Sequence, residues 1–245
     1  GLYKQVIPGV RTFEMIGQRL FTGRIAVAQA ALAFRAHLFA DTKTYSDAKR
    51  CWSPGLYDTD EGDLSRLPVL SEIPQLAALY AEAEAEAAEL EEFVGRCEAR
   101  LNACLRAGEL PDLALQEAIA VCKVKAVETS IAQCFRLKQE VGSYALMGGT
   151  GFENTDFLQC AKFAEGDSRI LMLKMARDEM RAAAKGRAKA YHSSDEAARC
   201  AELGAALESA KKGGASDAEA WHKEWRKVYA LAEASMDRVM HNVMK

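Results

Sequence analysis

The sequence predicts an all-α fold. Alanine is abundant and runs of β-branched residues are absent, which is typical of helical chains. All five prolines lie within the first 111 residues, so no proline interrupts a helix over the 134 residues that follow. Apolar residues recur at three- and four-residue intervals in the long segments. We therefore expect an antiparallel helix bundle.

The first helix is predicted over residues 11–49. Apolar side chains between Ile16 and Leu38 recur at helical spacing and form one stripe that faces a core. Residues 50–71 contain a Ser-Pro-Gly turn and several acidic residues, so we expect a loop there.

Two further helices are predicted over residues 72–106 and 112–145. The middle of the first of them, AEAEAEAAELEE, is strongly acidic and should carry a solvated face. Gly108 and Pro111 mark the turn between the two helices. A pair of glycines marks the end of the second.

The last part of the chain predicts three more helices. Residues 152–166 show no periodicity and are expected to be irregular, and a helix follows at 167–185. Serine and aspartate precede two more apolar-periodic segments, at 193–211 and 216–243, as N-cap residues do.

We divide the chain into a helical bundle at 1–186 and a tail at 187–245. The tail should form a C-terminal helical hairpin, because a Lys-Lys-Gly-Gly turn separates its two helices. Such a hairpin packs either on the bundle or on a partner.

Composition excludes several functions. The net charge is −3, and basic residues are interleaved with acidic ones, so no basic face for nucleic acid is expected. No apolar run is long enough for a transmembrane segment. The seven cysteines form no CxxC motif and favour a reducing compartment, and the four histidines have no metal-ligand spacing, so no metal site is expected.

Three ordered groups of motifs carry a family resemblance. The first is GRIAVA at residues 23–28, followed by YSDAKR at 45–50. The second is LSEIPQLAALYA at 70–81, with AGELPDL further on. The third is the glycine turn MGGTGF at 147–152, followed after thirteen residues by EGDS at 165–168.

This order and spacing resemble the C-terminal helical part of acyl-CoA oxidases and dehydrogenases, with the oxidase branch favoured. The resemblance implies a bundle of the acyl-CoA dehydrogenase C-terminal type. It implies that Glu165 is the catalytic base, which removes a proton from the α-carbon of an acyl-CoA thioester. Arg24 is the candidate substrate-binding residue.

The resemblance also implies FAD as the cofactor. Its candidate binding residues are Lys49 and Arg50 at the end of the first helix, and Gly148, Gly149 and Gly151 in the glycine turn. A glycine turn lets backbone approach a phosphate closely. Lys49 stands where the family carries an arginine, and a lysine does not make the same bidentate contact.

Two hypotheses about function follow. In the first, the chain is an oxidase-like module that performs α,β-dehydrogenation of acyl-CoA with FAD once a β-domain completes it. Nothing in the sequence itself predicts such a β-domain. In the second, the chain is a diverged, non-catalytic structural subunit of a larger assembly, and FAD is lost.

Both hypotheses imply protein partners or a homo-oligomer. They also imply an intracellular, organellar location in a peroxisome, mitochondrion or plastid.

Overall fold

The computed structural model describes residues 12–53, 67–185 and 194–245. Over these ranges the chain forms eight α-helices and no strand, apart from an isolated bridge between Arg50 and Val69. The all-α prediction is confirmed. The helices are α1 (Thr12–Ala48), α2 (Pro74–Ala107), α3 (Leu113–Glu140), α4 (Thr155–Cys160), α5 (Ser168–Ala184), α6 (Ser194–Lys212), α7 (Asp217–Lys223) and α8 (Trp225–Met244).

The helix ends follow local chemistry. Pro74 opens α2, and Gly108, in a left-handed conformation with φ of 69°, closes it. The Asp112 side chain accepts a hydrogen bond from the Leu115 N–H, and Ser216 with Glu219 forms a capping box at α7. Most of the loop expected at 50–71, Ser193 and the boundary between 186 and 187 lie outside the described residues.

Two sequence predictions need correction. The third helix was expected to reach residue 145, but α3 ends at Glu140 because Gly142, with φ of 61°, turns the chain into a short 3-10 segment. The segment 152–166, expected to be irregular, contains α4. Buried Phe152 and Leu158 anchor this part of the chain to the core.

The last predicted helix is also divided. It breaks at Glu224 into α7 and α8. Ala220 and Val228 are buried on either side of the break. The break therefore redirects the chain while both helices keep their apolar contacts.

Cross-helix contacts fix the relative direction of α1 and α2 and join both helices to α3. The Gln29 side chain donates to Glu98 at 2.7 Å, and further along α1 the Arg35 guanidinium donates to the Ala83 carbonyl. As α1 proceeds, its partners on α2 therefore run backwards, and the two helices are antiparallel. Arg35 also donates to Gln133 of α3 at 2.5 Å, which joins the three helices at one level.

The apolar residues form two buried clusters. The tail-side core joins the first half of α3 to α5, α6, α7 and α8, and the turn-side core joins the second half of α3 to α4 and the short 3-10 segments. Both α1 and α2 contribute to each cluster. The tail helices therefore pack on the bundle, which is one of the two arrangements that the sequence left open.

None of the described helices is both long enough and apolar enough to cross a membrane.

Candidate active site

Glu165 lies in the short connection between α4 and α5. Its φ is 55°, and among the described residues it is the only non-glycine residue with positive φ. A left-handed conformation costs about 1–2 kcal/mol for a residue with a Cβ atom. Strain of this kind persists where surrounding contacts hold it, and it concentrates at functional sites.

Two consecutive residues of α1 hold Glu165. Its carboxylate lies directly against Gly23, so closely that a Cβ atom added to Gly23 would stand 2.4 Å from the Glu165 carboxyl carbon. Arg24 Nε donates to the Glu165 carbonyl oxygen at 3.0 Å. Burial lowers the pKa of Arg24, and the charge of Glu165 partly opposes this shift.

The buried side chain of Lys123, on α3, contacts the same connection from the protein interior. It is 0% exposed, and its ammonium donates to the Lys162 carbonyl at 2.6 Å, the Gly166 carbonyl at 2.9 Å and Ser168 Oγ at 3.0 Å. Burial lowers the pKa of Lys123 to about 8, and the charges of Asp167 and Glu128 oppose this shift.

A cavity of about 630 Å³ opens beside Arg24. Phe21, Leu171 and Met175 line its apolar part, and Glu117, Lys174 and Asp178 are among its polar residues. An apolar cavity with a few charged groups is the usual form of a small-molecule site. Arg24 therefore contacts both the backbone of Glu165 and the wall of this cavity.

The glycine turn lies elsewhere on the bundle. Gly149 and Gly151 have φ of 80° and 88°, and a Cβ atom on Gly151 would meet Leu38 of α1 at 3.1 Å. Fifteen residues of α1 separate Gly23 from Leu38, which is about 22 Å along a helix. The glycine turn and the Glu165 connection therefore lie at different levels of the bundle.

The chain itself occupies the donors of the glycine turn. The Glu153 carboxylate accepts a hydrogen bond from the Gly149 N–H at 2.7 Å. Backbone hydrogen bonds, those of Glu153 itself and of Gly149, lower the pKa of Glu153. Gly148 is exposed, with open space around its Cα atom.

Lys49 and Arg50 lie nearer to the glycine turn than to Glu165. Tyr45, one turn before Lys49, stacks on Tyr144 with ring centroids 3.9 Å apart. The Lys49 carbonyl accepts from Leu70 N–H at 2.7 Å, and Arg50 Nη1 donates to the Leu67 carbonyl at 2.5 Å. Both residues are exposed.

As arranged here, these residues do not fit a flavin diphosphate. The Gly149 N–H, a backbone donor that a phosphate would need, is held by the Glu153 carboxylate, and one N–H of the Arg50 guanidinium is held by the Leu67 carbonyl. The Glu153 carboxylate would also face the incoming negative charge. Within the described ranges, no cluster of histidine, cysteine or acidic residues is suited to a metal ion.

The structure thus groups the predicted residues in two places. Arg24 and Glu165 meet, whereas the glycine turn and the Lys49–Arg50 pair lie at the other level. Sequence analysis missed Lys123. The available signal was a lysine four residues after Ile119, on a helix face that is otherwise apolar.

The described helices form an all-α bundle that resembles the helical part of an acyl-CoA oxidase. The chain is similar in structure to acyl-CoA oxidase 3 from Yarrowia lipolytica, with a TM-score of 0.60 and 14% sequence identity. The match covers 98% of this chain and 40% of the oxidase. No family model matches the sequence, and no curated protein matches it either. At 14% identity, the likeness shows the fold alone.

Proposed function

We propose that this chain is the helical part of an acyl-CoA oxidase-like enzyme in which Glu165 is the catalytic base. The observation that carries the proposal is the strained backbone of Glu165, which is held by Gly23 and by Arg24. Arg24 also lines a partly apolar cavity. An ordinary helix-terminal glutamate needs neither a left-handed backbone nor a glycine under its carboxylate.

The proposed role of Glu165 is proton abstraction from the α-carbon of an acyl thioester. A carboxylate suits this step when it is held in place and partly shielded from water. Glu165 is half-buried, and its position is fixed from α1. The negative charge that develops on the thioester oxygen needs a nearby donor or cation.

Arg24 is the proposed substrate-binding residue. Its Nε is committed to the Glu165 carbonyl, while the side chain also lines the cavity. A guanidinium in this position suits an anionic or carbonyl group of the substrate. The same side chain thus connects substrate binding to the placement of the base.

The resemblance implies FAD, which when bound would accept the hydride from the β-carbon. Because the glycine turn does not fit the diphosphate as arranged here, flavin binding requires Glu153 to leave Gly149. The proposal further includes a β-domain that completes the site. It also includes association with a protein partner or a second copy of the chain, and an organellar location.

The test uses the protein isolated at its natural length. We expect flavin absorbance near 450 nm and peroxide release with an acyl-CoA. Glu165→Gln should reduce turnover about 10³-fold, since general-base catalysis contributes 10²–10⁴-fold, and should leave the thermal midpoint unchanged. Glu109→Gln, an exposed carboxylate in another interhelix connection, is the matched control. Undiminished turnover in Glu165→Gln would remove Glu165 from the mechanism.

The alternative is a diverged, non-catalytic structural subunit. The specific observation in its favour is the misfit at the glycine turn, where the Glu153 carboxylate already occupies the Gly149 N–H. A flavin-free particle without acyl-CoA turnover, even after FAD is added, would favour this alternative over the enzyme.

A further inference from the structure

Lys123 is a buried cation whose direct partners carry no opposite charge. Its ammonium has three N–H donors, and two carbonyls and one hydroxyl accept them. Burying an ammonium is unfavourable unless its protons are bound. Ala or Leu would fill this interior position on α3 without that cost, so the choice of lysine requires an explanation.

The three acceptors flank Glu165. The Lys162 carbonyl lies three residues before Glu165, the Gly166 carbonyl one residue after it, and Ser168 Oγ at the first residue of α5. The Ser168 N–H also donates to the Lys162 carbonyl at 2.9 Å. One ammonium therefore draws the two ends of the connection together, with Glu165 between them.

We infer that Lys123 is a positioning residue, which fixes the strained connection 162–168 and so holds the Glu165 carboxylate in place. This inference rests on the proposed role of Glu165. Arg24 fixes the same connection from α1, so the segment is held from both sides: α1 binds the Glu165 carbonyl, and α3 binds the carbonyls and hydroxyl that flank it.

Titration of Lys123 should weaken this restraint. The charged groups around it are Asp167 and Lys162 of the connection, Glu128 of α3 and Arg24 of α1, and Lys162 pairs with Glu128 at 3.0 Å. Burial lowers the pKa of Lys123 to about 8. A neutral amine has two N–H donors, so one of the three acceptors loses its hydrogen bond from Lys123 as the pH rises through this value.

The effect on folding has the opposite sign. Because the folded pKa lies below the usual lysine value, the unfolded chain binds the proton more tightly than the folded chain between pH 8 and the usual value. The contribution of Lys123 to stability therefore rises with pH across that window. Turnover should fall over the same range, which separates a positioning role from a general effect on stability.

The decisive measurement is hydrogen exchange of the amides of residues 163–167 in the full-length protein. Lys123→Met should raise exchange there about tenfold or more, as local opening becomes easier, while the amides of α3 outside the contact keep their protection. Lys162→Met is the matched control, because that side chain pairs with Glu128 and its carbonyl remains in place. Unchanged exchange in Lys123→Met would overturn the inference.

Catalysis provides the second readout. Lys123→Met should lower kcat about 10–100-fold with little change in KM, since misplacing a reacting group by about 1 Å costs on that order. The alkaline fall in wild-type kcat near pH 8 should disappear in the variant. An alkaline limb that persists in Lys123→Met would count against the inference.

The test stays decisive if Lys123→Met does not fold, and also if the wild-type protein has no turnover. If Lys123→Met does not fold, Ser168→Ala removes one acceptor and should raise exchange in the same segment to a smaller extent. If the wild-type protein has no acyl-CoA turnover, the proposed function fails, but the exchange result still decides whether Lys123 restrains the connection.

Discussion

The Glu165 connection and the glycine turn both join α-helices, and the family resemblance rests on motifs in both, yet their polar groups are used differently. At the Glu165 connection, side chains from two other helices converge on a strained residue. At the glycine turn, positive φ falls on glycines, and a nearby exposed carboxylate satisfies the backbone donor. The backbone strain at Glu165 costs free energy, whereas the glycines of the turn adopt positive φ without that cost.

This difference indicates which of the two regions is under a constraint that chain reversal does not explain. A glycine turn is explained by chain reversal alone, because glycine adopts positive φ without strain. Chain reversal alone does not explain the positive φ of Glu165. A simple connection would be served by any residue that adopts this conformation with less strain. This contrast supports the proposal that Glu165, rather than the glycine turn, carries the function.

The two regions also rest on different cores. The Glu165 connection leads into α5, which packs on α8 in the tail-side core, while the glycine turn packs with α4 in the turn-side core. The buried Arg238 of α8 binds Glu179 of α5 at 3.0 Å and Glu196 of α6 at 2.9 Å. The tail thus braces α5, the helix that begins three residues after the candidate base Glu165.

The largest predicted effect is on the free energy of unfolding, when the buried Arg238 ion pairs are removed. Arg238→Met should lower the free energy of unfolding by about 3–5 kcal/mol, since it breaks two buried ion pairs at once. Arg199→Met, which removes an exposed pair with Asp195, should cost less than about 1 kcal/mol. Chemical denaturation measures both. Equal small losses would contradict a bracing role for the tail.

The same variant sharpens the comparison of the two regions. Under native conditions, Arg238→Met should raise hydrogen exchange at the Glu165 connection and leave the glycine turn unchanged. Equal increases in both segments would show that the two cores open as one unit.

The next effect separates activity from stability. Gly23→Ala places a methyl group where the Glu165 carboxylate lies, so the flexible carboxylate must move away. We expect about a 10²-fold loss of turnover, as for a reacting group misplaced by about 1 Å. The thermal midpoint should stay the same or rise, because Ala favours a helix over Gly by about 0.5–1 kcal/mol.

Gly95→Ala is the matched control for that change. Gly95 is an exposed residue of α2 with open space at its Cβ position, so the substitution should stabilise the helix without altering turnover. If Gly23→Ala and Gly95→Ala behaved alike in turnover, the carboxylate position over Gly23 would not matter.

The smallest effect is expected at the glycine turn. Because the folded pKa of Glu153 is lowered, this carboxylate contributes stability above the usual glutamate range and loses it as the pH falls through the folded pKa. Glu153→Gln should therefore lower the thermal midpoint slightly at pH 7, and the difference from wild type should vanish in acid. A difference that grows in acid would reverse this assignment.

Most of the helices could be predicted from the sequence. Apolar periodicity and caps such as Pro74, Gly108 and Ser216 act within one or two turns, so local sequence suffices. The early end of α3 follows from the local conformation of Gly142, but the other errors fell where tertiary packing decides. Buried Phe152 and Leu158 turned an apparently irregular segment into α4, and the last helix broke so that both of its halves could reach the core.

The candidate site was only partly predictable. Glu165 and Arg24 were found because they stand in an ordered pattern of motifs. Lys123 was not found, because nothing within α3 shows that its ammonium reaches a connection about forty residues later. Likewise, the sequence did not show that Glu153 would occupy the Gly149 N–H.

The sequence by itself determined the all-α class, the main helices and the residue that stands as candidate base, because these depend on local periodicity, capping and motif order. Only the tertiary structure decided which charges meet. The side-by-side packing of α1 and α3 brings Arg24 and Lys123 to the same connection, and the packing of α8 on α5 supports it from the tail. Such meetings depend on helix packing across long sequence separations, which no local pattern encodes.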